Sequence, residues 1–344
     1  MNRFSYIQSN TVAEALDEVV PNDGSKFIAG GTNLIDLMRA NVERPAHIID
    51  ITHLDLHTIK EMEDGGLQLG ALVKNADTAY NEKVQSRYPL LAKAILAGAS
   101  PQLRNMATDG GNLLQRTRCY YFYDSATPCN KRSPGEGCSA IEGYNRIHAI
   151  FGTSDHCIAT HPSDMCVALA ALSAKVHVTN KEGKREIPFS EFHRLPGDTP
   201  HIDSNLKPGE LITAIELPVN NFHRHYQYIK VRDRRSYAFA LVSVAAALEL
   251  ENNVIKSARI ALGGVAHKPW RNLEAESFLS GKPTDESVFK IVADMILKDA
   301  KGFKYNSFKI ELAKRTIVRA LTEAKNRTAS EPLDCYTYNR HEKT

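Results

Sequence analysis

Lys26-Phe27-Ile28-Ala29-Gly30-Gly31-Thr32-Asn33-Leu34 is the stretch on which the reading of this chain turns. Its apolar run, Phe27 to Ala29, predicts a buried strand, and the Gly30-Gly31 pair predicts a sharp backbone turn. Thr32 or Asn33 then caps a helix running through Leu34, Ile35, Leu37 and Met38. Strand, glycine turn and helix N-terminus together make a seat for an anion. The backbone approaches closely at glycine, and first-turn N–H groups with the helix dipole favour phosphate. No Lys follows the glycines, so this is neither a Walker loop nor G-x-G-x-x-G. Alone, a Gly-Gly turn is more often a plain connection. A second turn, Ala107-Thr108-Asp109-Gly110-Gly111-Asn112-Leu113, changes the balance. Two glycine turns ending in Asn and Leu predict two backbone loops closing on one extended, phosphate-bearing ligand.

Composition narrows the setting. The 344 residues suffice for two domains, each with its own core, and 42% hydrophobic with 24% charged residues is ordinary for a globular protein. A net charge of +3, with basic residues scattered apart from Lys230 to Arg235, implies no nucleic-acid or membrane partner. The start, Met1-Asn2-Arg3-Phe4-Ser5-Tyr6, lacks the apolar region of a signal peptide. No apolar run reaches the ~18 to 20 residues of a membrane span. By its own sequence the chain is expected in the cytoplasm, or in the periplasm if exported with a signal-bearing partner.

Strands and helices alternate along the chain. Phe4 and Tyr6 open a strand, and Thr11-Val12-Ala13-Glu14 is a capping box for a helix burying Val12, Ala15, Leu16 and Val19. Pro21-Asn22-Asp23-Gly24 closes that helix. Strands are expected at His47–Ile51 and Gly66–Ala71, and helices at about 75–84 and 89–97, as in an α/β or α+β domain. From Arg116 to Cys157 periodicity fails. A structureless loop of roughly 40 residues, poor in core residues, needs something else to order it. Ser163 or Asp164 then caps a helix to Ala174, and strand Ala174–Val178 pairs with Arg185–Phe189 as a hairpin. An apolar strand, Leu211–Leu217, stops at Pro218. Asn220-Asn221 predicts a boundary between domains 1–220 and 221–327. Strands Tyr226–Lys230 and Ser257–Leu262 flank the apolar segment 238–250. Helices follow near 273–280 and 285–299, then an amphipathic helix, Phe308–Arg327, and a polar tail, 328–344.

Four of the six cysteines, Cys119, Cys129, Cys138 and Cys157, lie in the irregular stretch. Without an export signal, disulfides are disfavoured. Free thiols and zinc stay open, although C-x-x-C pairs are missing and the spacing matches no ferredoxin pattern. Four thiolates around one iron–sulfur cluster would supply the organiser this loop needs. Cys166, on the apolar helix, is expected to be a packed core thiol, and Cys335 lies in the tail.

Five motifs occur in order: Ala-Gly-Gly-Thr-Asn-Leu (29–34), Thr-Asp-Gly-Gly-Asn-Leu-Leu-Gln (108–115), His-Pro-Ser-Asp (161–164), Lys-Val-Arg-Asp-Arg-Arg-Ser-Tyr-Ala-Phe-Ala (230–240) and Ala-Leu-Gly-Gly-Val-Ala-His-Lys-Pro (261–269). From about Phe4 to Arg327 the chain resembles the FAD-binding subunit of the xanthine dehydrogenase (molybdenum hydroxylase) family. It is most similar to the medium subunit of bacterial molybdenum aldehyde oxidoreductases. The insert from Arg116 to Cys157 is absent from common xanthine dehydrogenases and resembles the variant with a 4Fe–4S cluster beside the flavin. The flavin subunit of 4-hydroxybenzoyl-CoA reductase, with a differently arranged cysteine insert, is the alternative within the family.

The resemblance implies an α+β, two-subdomain FAD-binding fold of the PCMH, vanillyl-alcohol-oxidase-like type, then a smaller α/β sandwich domain. It places Lys26, Phe27, Ile28, Ala29, Gly30, Gly31, Thr32, Asn33 and Leu34 around the pyrophosphate. Thr108, Gly111 and Asn112 would form the opposite loop, with Asp164 and Lys230 near the ribityl chain or isoalloxazine edge. A fixed Lys230 cation there would stabilise the anionic reduced flavin. The bland alternatives are a solvated strand-end lysine and a plain N-cap. Cys119, Cys129, Cys138 and Cys157 would ligate one 4Fe–4S cluster. No general base or nucleophile stands out, as expected of an electron-transfer subunit. Substrate would be oxidised in a molybdopterin-binding large subunit, with a 2Fe–2S small subunit between and an external electron acceptor beyond. The rivals are a self-contained flavin oxidoreductase of similar fold, and a chain whose flavin and cluster only scaffold a complex.

Overall fold

Three strands, Ser5–Gln8, His47–Asp50 and Ser25–Ile28, lie side by side in that order, all parallel. The computed structural model describes residues 1–19 and 24–327; the helix end expected at Pro21–Asp23 and the tail with Cys335 lie outside them. The helix Val12–Asp17 opens with the expected capping box, each of Thr11 and Glu14 accepting the other's backbone N–H. Ala15, Leu16, Ile49 and Leu54 form the small core beneath.

A second sheet is antiparallel, in the order Ile59–Glu61, Leu67–Gly70, Leu211–Leu217, Lys175–Asn180, Gly183–Pro188. Its apolar face packs on helices Pro89–Ala97 and Asp164–Ala171, the latter capped by Ser163. The single helix expected over 75–84 is two, Asn75–Tyr80 and Glu82–Arg87. The Asn81 side chain breaks the run by accepting the Lys83 and Val84 N–H groups at 3.0 and 3.3 Å, capping the second helix.

The third sheet, also antiparallel, runs Trp270–Arg271, Val254–Gly263, Val242–Glu251, His225–Val231. One face, with Val242, Val244, Ala246 and Leu248, meets helices Glu286–Leu297 and Phe308–Asn326. The other, with Ala245, Ala247 and Ala261, joins the core of helices Pro89–Ala97 and Asp164–Ala171. Burial on both faces explains the unbroken apolar run there. The same packing sets Lys230, near the end of its strand, against the start of helix Asp164–Ala171.

The 116–157 insert holds two one-turn helices, Tyr120–Tyr123 and Ser139–Glu142. It corrects the expectation of a stretch poor in core residues. Phe122, Ala140 and Ile158 cluster with Leu37 of helix Leu34–Arg39, and three of the four cysteines are buried among them. The core was hidden because thiols supply much of its packing surface.

Candidate functional site

Strand Ser25–Ile28 delivers the first glycine turn to the rim of a long cavity. The strand is half-buried rather than buried as expected, because one side lines that cavity. Gly31 holds φ at +69°, a conformation other residues rarely adopt. At Gly30 a Cβ would lie 1.9 Å from the Met106 carbonyl oxygen. The two glycine turns therefore meet backbone to backbone. Asn33 stands at the N-cap position of helix Leu34–Arg39 but makes no side-chain cap. Its Oδ1 accepts the Arg116 N–H at 2.9 Å, tying the first turn to the chain leaving the second.

In the second turn the Thr108 Oγ1 accepts the Gly111 N–H at 3.2 Å. Behind it lies a polar chain that sequence reasoning missed. Asp109, fully buried, accepts from Asn75 Nδ2 at 2.7 Å and Thr78 Oγ1 at 2.6 Å. Burial raises its pKa to about 7 despite those donors. Asn75 Oδ1 in turn accepts from Asn112 Nδ2 at 2.6 Å, while Asn112 Oδ1 accepts from Ser163 Oγ at 2.6 Å and Gln115 Nε2 at 2.8 Å. Asn112 is thus fixed by three partners.

The cavity encloses about 1150 Å³ and is lined by every residue expected at the ligand: Lys26 through Leu34, Thr108, Gly111, Asn112, Asp164 and Lys230. Such a volume is large for one small molecule and suits an extended dinucleotide. At its inner wall Lys230 Nζ lies 2.7 Å from Asp164 Oδ2 and donates to the Ala97 carbonyl at 3.1 Å. Both side chains are more than nine-tenths buried, at 5% and 7% exposure. Tyr228 donates to the other Asp164 oxygen at 2.6 Å. Burial, and then the Asp164 charge, hold the Tyr228 phenol well above its usual range. Lys230 is therefore no solvated strand-end lysine, and Ser163 rather than Asp164 makes the helix cap. The lysine charge is matched by its carboxylate partner, a pairing sequence reasoning did not foresee.

The other four predicted ligands come together as well. Cys119, Cys129, Cys138 and Cys157 surround one small closed cavity with Phe122, Ala140 and Ala159. Backbone bridging sets Cys129 against Cys138, and the Cys157 thiol hydrogen-bonds Cys138, lowering the Cys138 pKa and raising that of Cys157. Burial pushes Cys119 up to about 12. All described cysteines are free thiols. Four sulfurs converging on one cavity with no carboxylate in its lining are a donor set for a thiophilic metal centre. His148 Nε2 lies 3.1 Å from Cys119 Sγ. The insert is stapled to the cavity rim by Arg116, which bonds Glu43 at 2.5 Å and Asp203 at 2.8 Å, and by Lys131 on Asp203. Burial opposes ionisation of Asp203, but the Lys131 and Arg116 charges hold its carboxyl well below the usual range. Cys166 stands apart, fully buried on its helix.

Comparison with known proteins agrees with this geometry. Residues 2–220 match the family model described as FAD binding domain in molybdopterin dehydrogenase, and residues 225–324 match CO dehydrogenase flavoprotein C-terminal domain. The chain is 52% identical over 326 residues to the aldehyde oxidoreductase FAD-binding subunit PaoB of Escherichia coli (strain K12), covering 94% of this chain and 99% of that one. It is 30% identical over 293 residues to the glyceraldehyde dehydrogenase medium chain of Sulfolobus acidocaldarius, covering 85% and 86%. Carbon monoxide dehydrogenase from Hydrogenophaga pseudoflava, solved without the Mo-pyranopterin moiety of its molybdenum cofactor, shares the fold at a TM-score of 0.74 and 24% identity, covering 95% and 99%.

Proposed function

Because the chain belongs to the FAD-binding subunits of the molybdenum hydroxylase family, oxidoreductase subunits that work by electron transfer, we propose that it carries two redox centres, FAD in the long cavity and one 4Fe–4S cluster at the four cysteines. The observation that carries the second centre is the convergence of four thiols on one cavity. Only Leu113 to Arg118 separate Asn112 of the flavin loop from Cys119, no more than about 25 Å of extended backbone.

Bound FAD supplies the exchange of electron pairs for single electrons. The chain's own residues position and shield it. The turn Lys26–Leu34 would wrap the pyrophosphate, with the Thr108–Asn112 turn as the opposite loop, its shape fixed by internal hydrogen bonds and its Asn112 pinned by Asn75, Ser163 and Gln115. The Asp164–Lys230 pair would lie near the ribityl chain or isoalloxazine edge, where the ammonium is already paired with a carboxylate. Cys119, Cys129, Cys138 and Cys157 hold the cluster as thiolates, while Phe122, Ala140 and Ile158 exclude water.

Residues 1–220 would form the flavin-binding part and 221–327 the covering domain. The partners in this reading are a molybdopterin-binding large subunit, where an aldehyde-type substrate is oxidised, a 2Fe–2S small subunit and an external acceptor. Among the described residues no helix is long and apolar enough to cross a membrane. The compartment would follow the complex: cytoplasm by this chain's sequence, periplasm if a partner bears an export signal.

Anaerobic iron and sulfide analysis tests the cluster. About four irons per chain are expected, lost in Cys129→Ser and retained in Cys166→Ser. Zinc in place of iron at these cysteines refutes the assignment.

A further inference from the structure

A second set of soft donors lies away from the insert. Cys166 is on helix Asp164–Ala171, His161 stands just before that helix, and His193 follows the short helix Phe189–Phe192. One donor atom from each lies within 4.8 Å of those of the other two. Cys166 is fully buried and His193 is 4% exposed.

The hydrogen bonding around these rings points to a ligand rather than to packing. His193 Nε2 lies 2.8 Å from the Leu113 carbonyl, which fixes Nε2 as the protonated donor and leaves a lone pair on Nδ1. That Nδ1 is buried without a partner. One ring nitrogen on a carbonyl and the other on a metal is the usual pose of a ligating imidazole. His161 Nε2 is likewise buried without a partner, and the two rings are 4.2 Å apart between centroids. Each unpartnered buried nitrogen is a cost to the metal-free fold that a bound ion would remove. Next to them His267, held near His161 by the His161 N–H to Ala266 carbonyl bond of 2.9 Å, has both ring nitrogens unpartnered.

We propose that His161, Cys166 and His193 form a site for one thiophilic late-transition ion, Zn²⁺ or Cu⁺, separate from the four-cysteine centre. Thiolate and imidazole donors with no carboxylate among them select such ions over Mg²⁺ or Ca²⁺. As the metal–sulfur bond forms, the Cys166 S–H bond breaks and its proton goes to the buffer; no electron moves. The ion would clamp helix Asp164–Ala171 to the corner at His193, and through the Leu113 carbonyl to the second glycine turn.

The test is metal analysis of the full chain purified from its native host, in wild type, Cys166→Ser, His193→Gln and Cys129→Ser, with FAD content as the check on folding. About one zinc or copper per chain is expected beyond the iron, retained in Cys129→Ser and lost in both Cys166→Ser and His193→Gln. Zinc and copper counts name the ion. Co²⁺ added to metal-stripped protein should give a thiolate-to-cobalt absorption band in Cys129→Ser and none in Cys166→Ser. Where Cys166→Ser fails to fold, the same comparison is made with His193→Gln alone. No zinc or copper in wild type and no cobalt band, or a metal lost with Cys129 instead of Cys166, overturns the proposal.

Discussion

At Gly30 one methyl group decides whether two loops can meet. A Cβ would sit 1.9 Å from backbone that cannot swing away, so Gly30→Ala should yield folded but flavin-free protein, read from the flavin absorbance and circular dichroism. Thr108→Ala is gentler: losing the bond to the Gly111 N–H should cost about 1 kcal/mol, a roughly fivefold weaker FAD Kd by titration. Full flavin binding by both variants would remove the pyrophosphate role from these turns. Lys230→Met would strand the Asp164 carboxylate, buried at 7% exposure, and destabilise the fold by about 3–5 kcal/mol. Lys230→Met with Asp164→Asn should recover most of that in a denaturation midpoint. At this scale the glycines, Asn112, Asp164 and Lys230 were legible because their motifs carry them. Asn75, Thr78, Asp109 and Tyr228 were not, since a polar residue that hydrogen-bonds another behind a loop leaves no periodic trace.

Elements were legible where burial is one-sided. The hairpin Lys175–Pro188 and the helix Phe308–Asn326 show their apolar faces in sequence. Strand Ile59–Glu61 is too short to show a period, and the insert's core hides in its thiols. The helix Phe308–Asn326 also carries a buried amine: Lys309 donates to the His148 carbonyl at 2.7 Å and to that of Gly264 at 2.5 Å, joining the covering sheet to the insert. Burial lowers its pKa from the ordinary 10.5 to about 7. The unfolded chain therefore holds more protons between those values, and stability should rise with pH from about 7 toward 10.5. Below that window the penalty is fully present. Urea midpoints at pH 7 and 9 should show the increment in wild type and its loss in Lys309→Met; equal increments in both would place it elsewhere.

The whole molecule sets a long dinucleotide-sized cavity beside a four-thiol cavity, and joins them through Arg116, Lys131 and Asp203. No substrate-level acid, base or nucleophile stands out in the sequence, and the residues expected at the cofactor all line the large cavity. A self-contained oxidoreductase would need room and chemistry for a second organic molecule; an electron-transfer subunit needs neither. The direct measurement is the anaerobic flavin absorbance of the isolated FAD-loaded chain mixed with an aldehyde, before and after the large and small partner subunits are added. The flavin should stay oxidised with aldehyde alone and bleach only once the partners are present. Bleaching of the isolated chain by aldehyde would contradict the account and make this chain an oxidoreductase in its own right.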